Sequence, residues 1–226
     1  MLNWMRWLPE NVSSYGAEID GVFTLIYGLT LGWFILMMGA FLYFIIRYRR
    51  RAGVPAAHVH GNRLREISWV LVPVAIVFVL DIWVDFRGAS VWAKVKTQIP
   101  ETDLQIQVTA KQFNWEVLYP GPDGEFGTTD DRQFENDLHV PVGRPVRVVL
   151  KSKDVIHSFF VPNMRLKQDM IPGRTIIAWF EAIKPGKYPL VCAELCGYGH
   201  SGMKGWIQVH STQEYAAWEK KQWESP

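Results

Sequence analysis

The sequence predicts a mixed fold: an N-terminal hairpin of two transmembrane helices, followed by an all-β sandwich or barrel. Three observations predict it. Two long apolar runs lie in the first half of the chain, an arginine-rich linker joins them, and short strand-like segments between Gly/Pro/Asp turns fill the rest. Composition agrees, since 14% aromatic residues and eleven Trp suit a membrane protein with interfacial belts. A formal net charge of +2 gives no basic footprint for nucleic acid.

The run from Gly21 to Ile46 carries no formal charge. About 20 apolar residues carry a helix across the hydrocarbon core, so this run spans it with some tilt. It is too long for a signal-peptide core, and no short basic start with a small-residue cleavage site flanks it. The first twenty residues therefore read as a pre-membrane segment rather than a removed leader. A second apolar run goes from Ile67 to Leu80 and resumes at Ile82-Trp83-Val84 after Asp81. Taken from about 66 to 85, it is a second span with Trp69 and Trp83 near the two interfaces. Pro73 is tolerated there because a neighbouring helix can satisfy the freed carbonyl. Arg47, Arg49, Arg50, Arg51, Arg63 and Arg65 lie between the spans, which places the linker in the cytoplasm. Both termini then lie on the outer face, giving residues 1–88 as a membrane part and 89–226 as an external domain.

In the external domain Asp103–Thr109 alternates polar and apolar residues, as a half-buried strand does. Comparable segments recur at Gln112–Tyr119, Pro145–Lys151, Val155–Val161, Thr175–Phe180, Tyr188–Ala193 and Gly205–His210. Turn signals separate them, among them Pro120-Gly121-Pro122-Asp123-Gly124, Pro172-Gly173 and Pro185-Gly186. Short strands with regular turns argue for a sandwich or barrel. The tail Thr212–Trp223 reads as a helix capped by Ser211 or Thr212.

The two cysteines of the chain sit in Cys192-Ala193-Glu194-Leu195-Cys196-Gly197-Tyr198-Gly199-His200-Ser201-Gly202-Met203. Thiolates with imidazole select copper or zinc, and a thioether at the end of the run favours copper. A blue copper site uses one Cys, so the second thiolate points to a bridged pair of coppers. Such a pair needs one more histidine. His157, among Ile156, Phe159 and Phe160 at a strand exit, is the best placed; His58, His60, His139 and His210 have no comparable company. A Cys192–Cys196 disulfide also fits an oxidising compartment, but leaves His200 and Met203 unexplained. Glu194 could offer its backbone carbonyl to one copper, or be an ordinary solvated loop acid.

With these residues in place, the chain resembles subunit II of the bacterial haem–copper cytochrome c oxidases. The likeness runs through nearly the whole chain. It is carried by Cys192–Met203, by Lys153-Asp154-Val155-Ile156-His157-Ser158, by Arg165–Arg174 and by Glu66-Ile67-Ser68-Trp69-Val70-Leu71-Val72-Pro73. The resemblance implies a cupredoxin-like Greek-key domain holding a dinuclear CuA centre. Its ligands would be His157, Cys192, Cys196, His200, Met203 and the carbonyl of Glu194. It implies that the Glu194 side chain meets a magnesium or manganese ion at the interface with the catalytic subunit, and that Glu66 marks a proton-uptake entrance. A carboxylate at a helix end can equally be an interfacial cap. The implied role is to accept electrons from a cytochrome c-type donor and pass them to the haem of subunit I. There oxygen would be reduced to water with proton translocation. The implied place is the bacterial inner membrane, two-pass, with the copper domain periplasmic.

One departure from the family bears on the donor. Where the family carries an aromatic Trp-Tyr-Trp patch, this chain has Phe113-Asn114-Trp115. Phe113 stands where the first Trp receives electrons, and lacks the indole N–H and the larger face. The loop from Gly121 to Asp131 is also long and acidic, fitting a solvated hairpin, a docking patch or a calcium loop. Acids and Lys/Arg are equal in number from residue 90 onward, so no acidic field draws a basic donor. These features point to a dedicated or complex-bound donor rather than a generic soluble cytochrome c. The alternative functions are the CuA subunit of a nitric or nitrous oxide reductase, and a membrane-bound copper-delivery protein. The Glu66 helix pattern favours an oxidase over the former, and Met203 and the strand-rich domain disfavour the latter.

Overall fold

The computed structural model describes residues 8–223 apart from Ala57 and Val59. The chain packs as two units, one of Glu18–Ala93 and one of the residues before it together with those from Lys94 onward.

The first unit holds most of α1 (Gly16–Arg47) and all of α2 (Leu64–Trp92), each long and apolar enough to cross a membrane. α1 starts before the uncharged run because Glu18 in its first turn complements the helix dipole. α2 continues past residue 85 into a π-helical turn at Ala93–Thr97. The apolar windows of both helices are unburied. Side chains such as Phe34, Leu36, Val70 and Phe78 therefore stand exposed along them, as a lipid or protein neighbour requires.

The second unit is a sandwich of two five-stranded sheets. One sheet orders β3 (Arg132–Glu135), β2 (Asn114–Tyr119), β1 (Gln105–Lys111), β5 (Pro145–Ser152) and β8 (Ile176–Glu181). The other orders β4 (Asp137–Pro141), β10 (Lys204–His210), β9 (Gly186–Cys192), β6 (His157–Val161) and β7 (Leu166–Met170). The parallel pairs β1–β5 and β4–β10 knit non-consecutive strands, and the remaining ladders are antiparallel. This is a cupredoxin-like arrangement. Alternation sets the core: Ile106, Val108 and Ala110 of β1 and Val146, Val148 and Leu150 of β5 point inward. Across from them lie Leu138, Val140, Phe159, Val161, Leu190, Ile207 and Val209. The tail is α3 (Thr212–Trp223), capped by Ser211, whose Oγ accepts the Glu214 N–H while the Glu214 carboxylate accepts the Ser211 N–H.

Residues just before α1 pack into this sandwich. Ser13 forms a β-bridge with Ala182, Val12 N–H donates to the Asn163 carbonyl, and Tyr15 lies edge-on to Trp179 with both Val12 and Tyr15 fully buried.

Three strands lie outside the sequence expectation: β3, β4 and β7, each an edge of its sheet. Edge strands carry charge to discourage further pairing, which blurs the apolar pattern of β3 and β7, while β4 is buried at four of its five positions and does not alternate. The expected strand at 155–161 is shorter than its apolar run. The Val155 N–H is taken by the Asp154 carboxylate at 2.7 Å, so residues 154–156 stay out of the ladder and pairing starts at His157. His157 thus opens β6 rather than ending a strand.

Glu116 of β2 fixes the region next to the site. Its carboxylate is buried between Lys111 at 2.7 Å and Lys153 at 2.5 Å. Burial pushes this carboxyl up, but the hydrogen bonds from Lys111 and Lys153 outweigh it and hold it below the ordinary value. A depressed folded value stabilises above the unfolded pKa of about 4.3, and that gain is lost as pH falls through the folded value. The expected result for Glu116→Gln is a flatter acid limb when urea midpoints are followed below about pH 5.

Candidate metal centre

The site is built where two connections meet at one end of the sandwich. β6 delivers His157 at its first residue, and β9 delivers Cys192 at its last. The loop from β9 to β10 carries Cys196, a 3₁₀ turn at His200–Gly202, and Met203 immediately before β10. Ladders on both sides fix the ends of this loop, because Phe159 pairs with Cys192 and the Cys192 N–H donates to the Met203 carbonyl at 3.2 Å.

The donors converge. Cys192 Sγ lies 3.9 Å from His157 Nδ1, 3.9 Å from Cys196 Sγ and 3.2 Å from the Glu194 carbonyl oxygen. Cys196 Sγ lies 3.5 Å from His200 Nδ1 and 3.8 Å from Met203 Sδ. His157 and Met203 are almost wholly buried, Cys196 is 3% exposed, and both cysteines are free thiols. Burial, then the neighbouring Cys192, push the Cys196 thiol above its ordinary value. Two buried thiols beside imidazole and thioether are a poor hydrogen-bonding set but a good soft-metal donor set. The two sulfurs lie closer than twice a metal–thiolate bond of about 2.3 Å, so both can reach one ion and can share two. The Glu194 side chain is exposed while its carbonyl faces Cys192, so its two ends look in different directions.

Asp154 stands behind His157. Its carboxylate accepts the His157 Nε2–H at 2.8 Å and the Gln112 backbone N–H at 2.7 Å. Burial raises the Asp154 carboxyl, and the N–H of Gln112 and the His157 ring outweigh this and hold it low. With Nε2 occupied, the His157 Nδ1 lone pair is left facing Cys192. That is the carboxylate–histidine arrangement which orients metal-binding imidazoles. No role for Asp154 or Gln112 emerged from the sequence. Asp154 is three residues before His157, which was a readable spacing; Gln112 gave no local signal.

The aromatic positions separate. Phe113 sits in the β1–β2 turn, 36% exposed, with its ring against the cysteine loop: a Cβ added at Gly199 would fall 2.4 Å from it. Trp115 is wholly buried in β2, edge-on to Phe159 and 6.5 Å from the His157 ring. Glu66 lies in the first turn of α2, where its carboxylate accepts the Arg63 N–H at 3.4 Å. His139 and His210 pair with each other at 2.8 Å beside Asp137 and do not join the donor cluster.

The family profile described as cytochrome c oxidase subunit II, periplasmic domain, matches residues 104–211. A cytochrome c oxidase subunit 2 of Thermostichus vulcanus is 32% identical over 95% of this chain and 78% of its own length. The chain belongs to the cytochrome c oxidase subunit II family. An alternative cytochrome c oxidase subunit 2 of Bradyrhizobium diazoefficiens is 30% identical over 96% of this chain and 83% of its own length. The crystal structure of the periplasmic domain of subunit II of cytochrome oxidase from Bradyrhizobium japonicum is 34% identical. It covers 55% of this chain and 96% of that one, with a TM-score of 0.49. As a subunit II chain, the protein is a membrane-anchored part of an oxidase complex and works with other oxidase subunits. The family implies CuA copper, and the clustered His157, Cys192 and Cys196 are able to hold metal.

Proposed function

We propose that this chain is the electron-accepting subunit of a haem–copper oxidase, and that His157, Cys192, Cys196, His200, Met203 and the Glu194 carbonyl hold a dinuclear CuA centre. The observation that carries the reading is the convergence of both thiols, two imidazole Nδ1 atoms and a thioether within 3.5–3.9 Å contacts. When bound, the copper pair supplies one-electron redox chemistry. The protein's own part is to hold the donors still. β6, β9 and β10 anchor every ligand-bearing segment, Asp154 fixes the His157 ring, and burial keeps water off the thiolates. A site filled by protein donors has no open position for substrate, so oxygen reduction belongs to the haem-bearing subunit I.

Phe113 is the proposed exposed receiver of electrons from a cytochrome c-type donor, its ring against the cysteine loop, and Trp115 is the buried aromatic beside His157. The donor is a dedicated or complex-bound cytochrome, as the Phe113 substitution and the charge-balanced domain favour. The exposed Glu194 carboxylate is the proposed ligand to a magnesium or manganese ion shared with subunit I. Glu66 is the proposed proton-uptake entrance.

The proposed setting is the bacterial inner membrane, two-pass, with both termini and the copper domain periplasmic. The arginine linker supports this sidedness, and so does the Ser13–Ala182 bridge. Residues paired in one ladder lie on one side of a bilayer, which requires an even number of crossings between them.

The test is metal content of the full chain purified in detergent. Two coppers per chain with a purple mixed-valence spectrum support the reading; one copper, zinc or a Cys192–Cys196 disulfide overturns it. Met203→Leu is expected to keep both coppers and to shift the midpoint potential, since a weak axial thioether tunes rather than builds such sites. Potentiometric titration beside copper counting checks both halves.

A further inference from the structure

The turn between β1 and β2 reaches both halves of the donor cluster through one residue. Gln112 donates its side-chain Nε2–H to the Cys196 carbonyl at 2.6 Å. Its backbone N–H is held by Asp154 Oδ2 at 2.7 Å, and Asp154 Oδ1 receives the Nε2–H of His157 at 2.8 Å. A continuous chain of hydrogen bonds therefore runs from Cys196 through Gln112 and Asp154 to His157. The first of these residues is in the β9–β10 loop and the last opens β6.

The loop is also seated flush on the turn. A Cβ at Gly197 would fall 2.7 Å from Gln112 Nε2, and Gly197 has a φ of +133° that side-chain-bearing residues rarely adopt. Glycine at 197 and 199 lets the loop backbone approach Gln112 and Phe113 closely. The close approach is what brings the Cys196 carbonyl within reach of the amide.

We propose that Gln112 is a positioning residue for the metal centre, fastening the cysteine loop to the histidine strand. The proposal rests on the electron-transfer reading above, since it concerns ligands of that centre. Gln112 touches no donor atom itself; it acts on the Cys196 peptide and, through Asp154, on the His157 ring. Its amide N–H is the chemical requirement, because a carbonyl accepts only from a donor.

Gln112→Glu is the decisive substitution, being the same shape without the donor. Gln112 is exposed in its turn, so the fold does not depend on it. In the full chain, Gln112→Glu is expected to keep two coppers with affinity lowered about 10- to 100-fold in chelator competition. The midpoint potential should move and the mixed-valence hyperfine pattern broaden. In the metal-free chain, amides of residues 196–199 should exchange faster with deuterium than in the unsubstituted chain. Equal affinity, potential, spectrum and exchange in the two proteins would overturn the proposal. If the unsubstituted chain holds no copper pair, the functional reading fails, and the metal-free exchange comparison still decides whether Gln112 holds the loop. Should Gln112→Glu lose its far-UV dichroism, Gln112→Ala is read by the same measurements.

Discussion

Replacing Cys196 with Ser is expected to abolish the copper pair. Cys196 Sγ links three other donors of the cluster, lying 3.9 Å from Cys192, 3.5 Å from His200 and 3.8 Å from Met203. A serine hydroxyl is a hard donor that stays protonated near neutral pH, so one bridging sulfur is lost and nothing soft replaces it. Bound copper should fall from two per chain to one or none, and the purple colour and mixed-valence resonance should vanish. Because Ser is close to Cys in size, the β sandwich should stay folded by far-UV dichroism. Retention of two coppers would mean that the sulfurs do not bridge.

Trp115→Ala is expected to have the largest effect on stability. The indole is wholly buried, edge-on to Phe159 and next to His157, with Val117 and Tyr119 continuing the same buried strand. Truncating a buried Trp costs about 3–5 kcal/mol, from lost burial and the cavity left behind. Urea unfolding of the metal-free chain should show a loss of that order. Copper affinity should fall as well, since His157 loses a ring that packs against it. A loss below about 1 kcal/mol would place the domain's core elsewhere.

The helices, the sandwich and the donors were legible in the sequence for different reasons. The spans show because a bilayer demands long apolar runs. Cys192, Cys196, His200 and Met203 show because one loop carries all four, so that spacing alone reports their nearness. His157 was reachable because an imidazole among Ile156, Phe159 and Phe160 calls for a partner. What the sequence hid was whatever depends on distant pairing. β3, β4 and β7 are edge strands; charge blurs the apolar pattern of β3 and β7, and β4 does not alternate because four of its five residues are buried. The Gln112 contacts cross 84 residues to Cys196 and 42 to Asp154, and only the sandwich topology brings those segments together. The opening of β6 at His157 followed from the Asp154 carboxylate taking the Val155 N–H, which leaves Val155 and Ile156 exposed although both are apolar.

The short segment ahead of α1 imposes an order on biogenesis. Tyr15 rests on Trp179, 164 residues further along the chain. At translation rates of about 5–20 residues per second, its docking surface emerges from the ribosome about 10–30 s later. The segment Val12–Tyr15 must therefore wait until the strand that carries Trp179 has been made and folded. A proteolytic nick beside Val12–Tyr15 in that interval would strike before the sandwich can protect it, so a segment made early docks late.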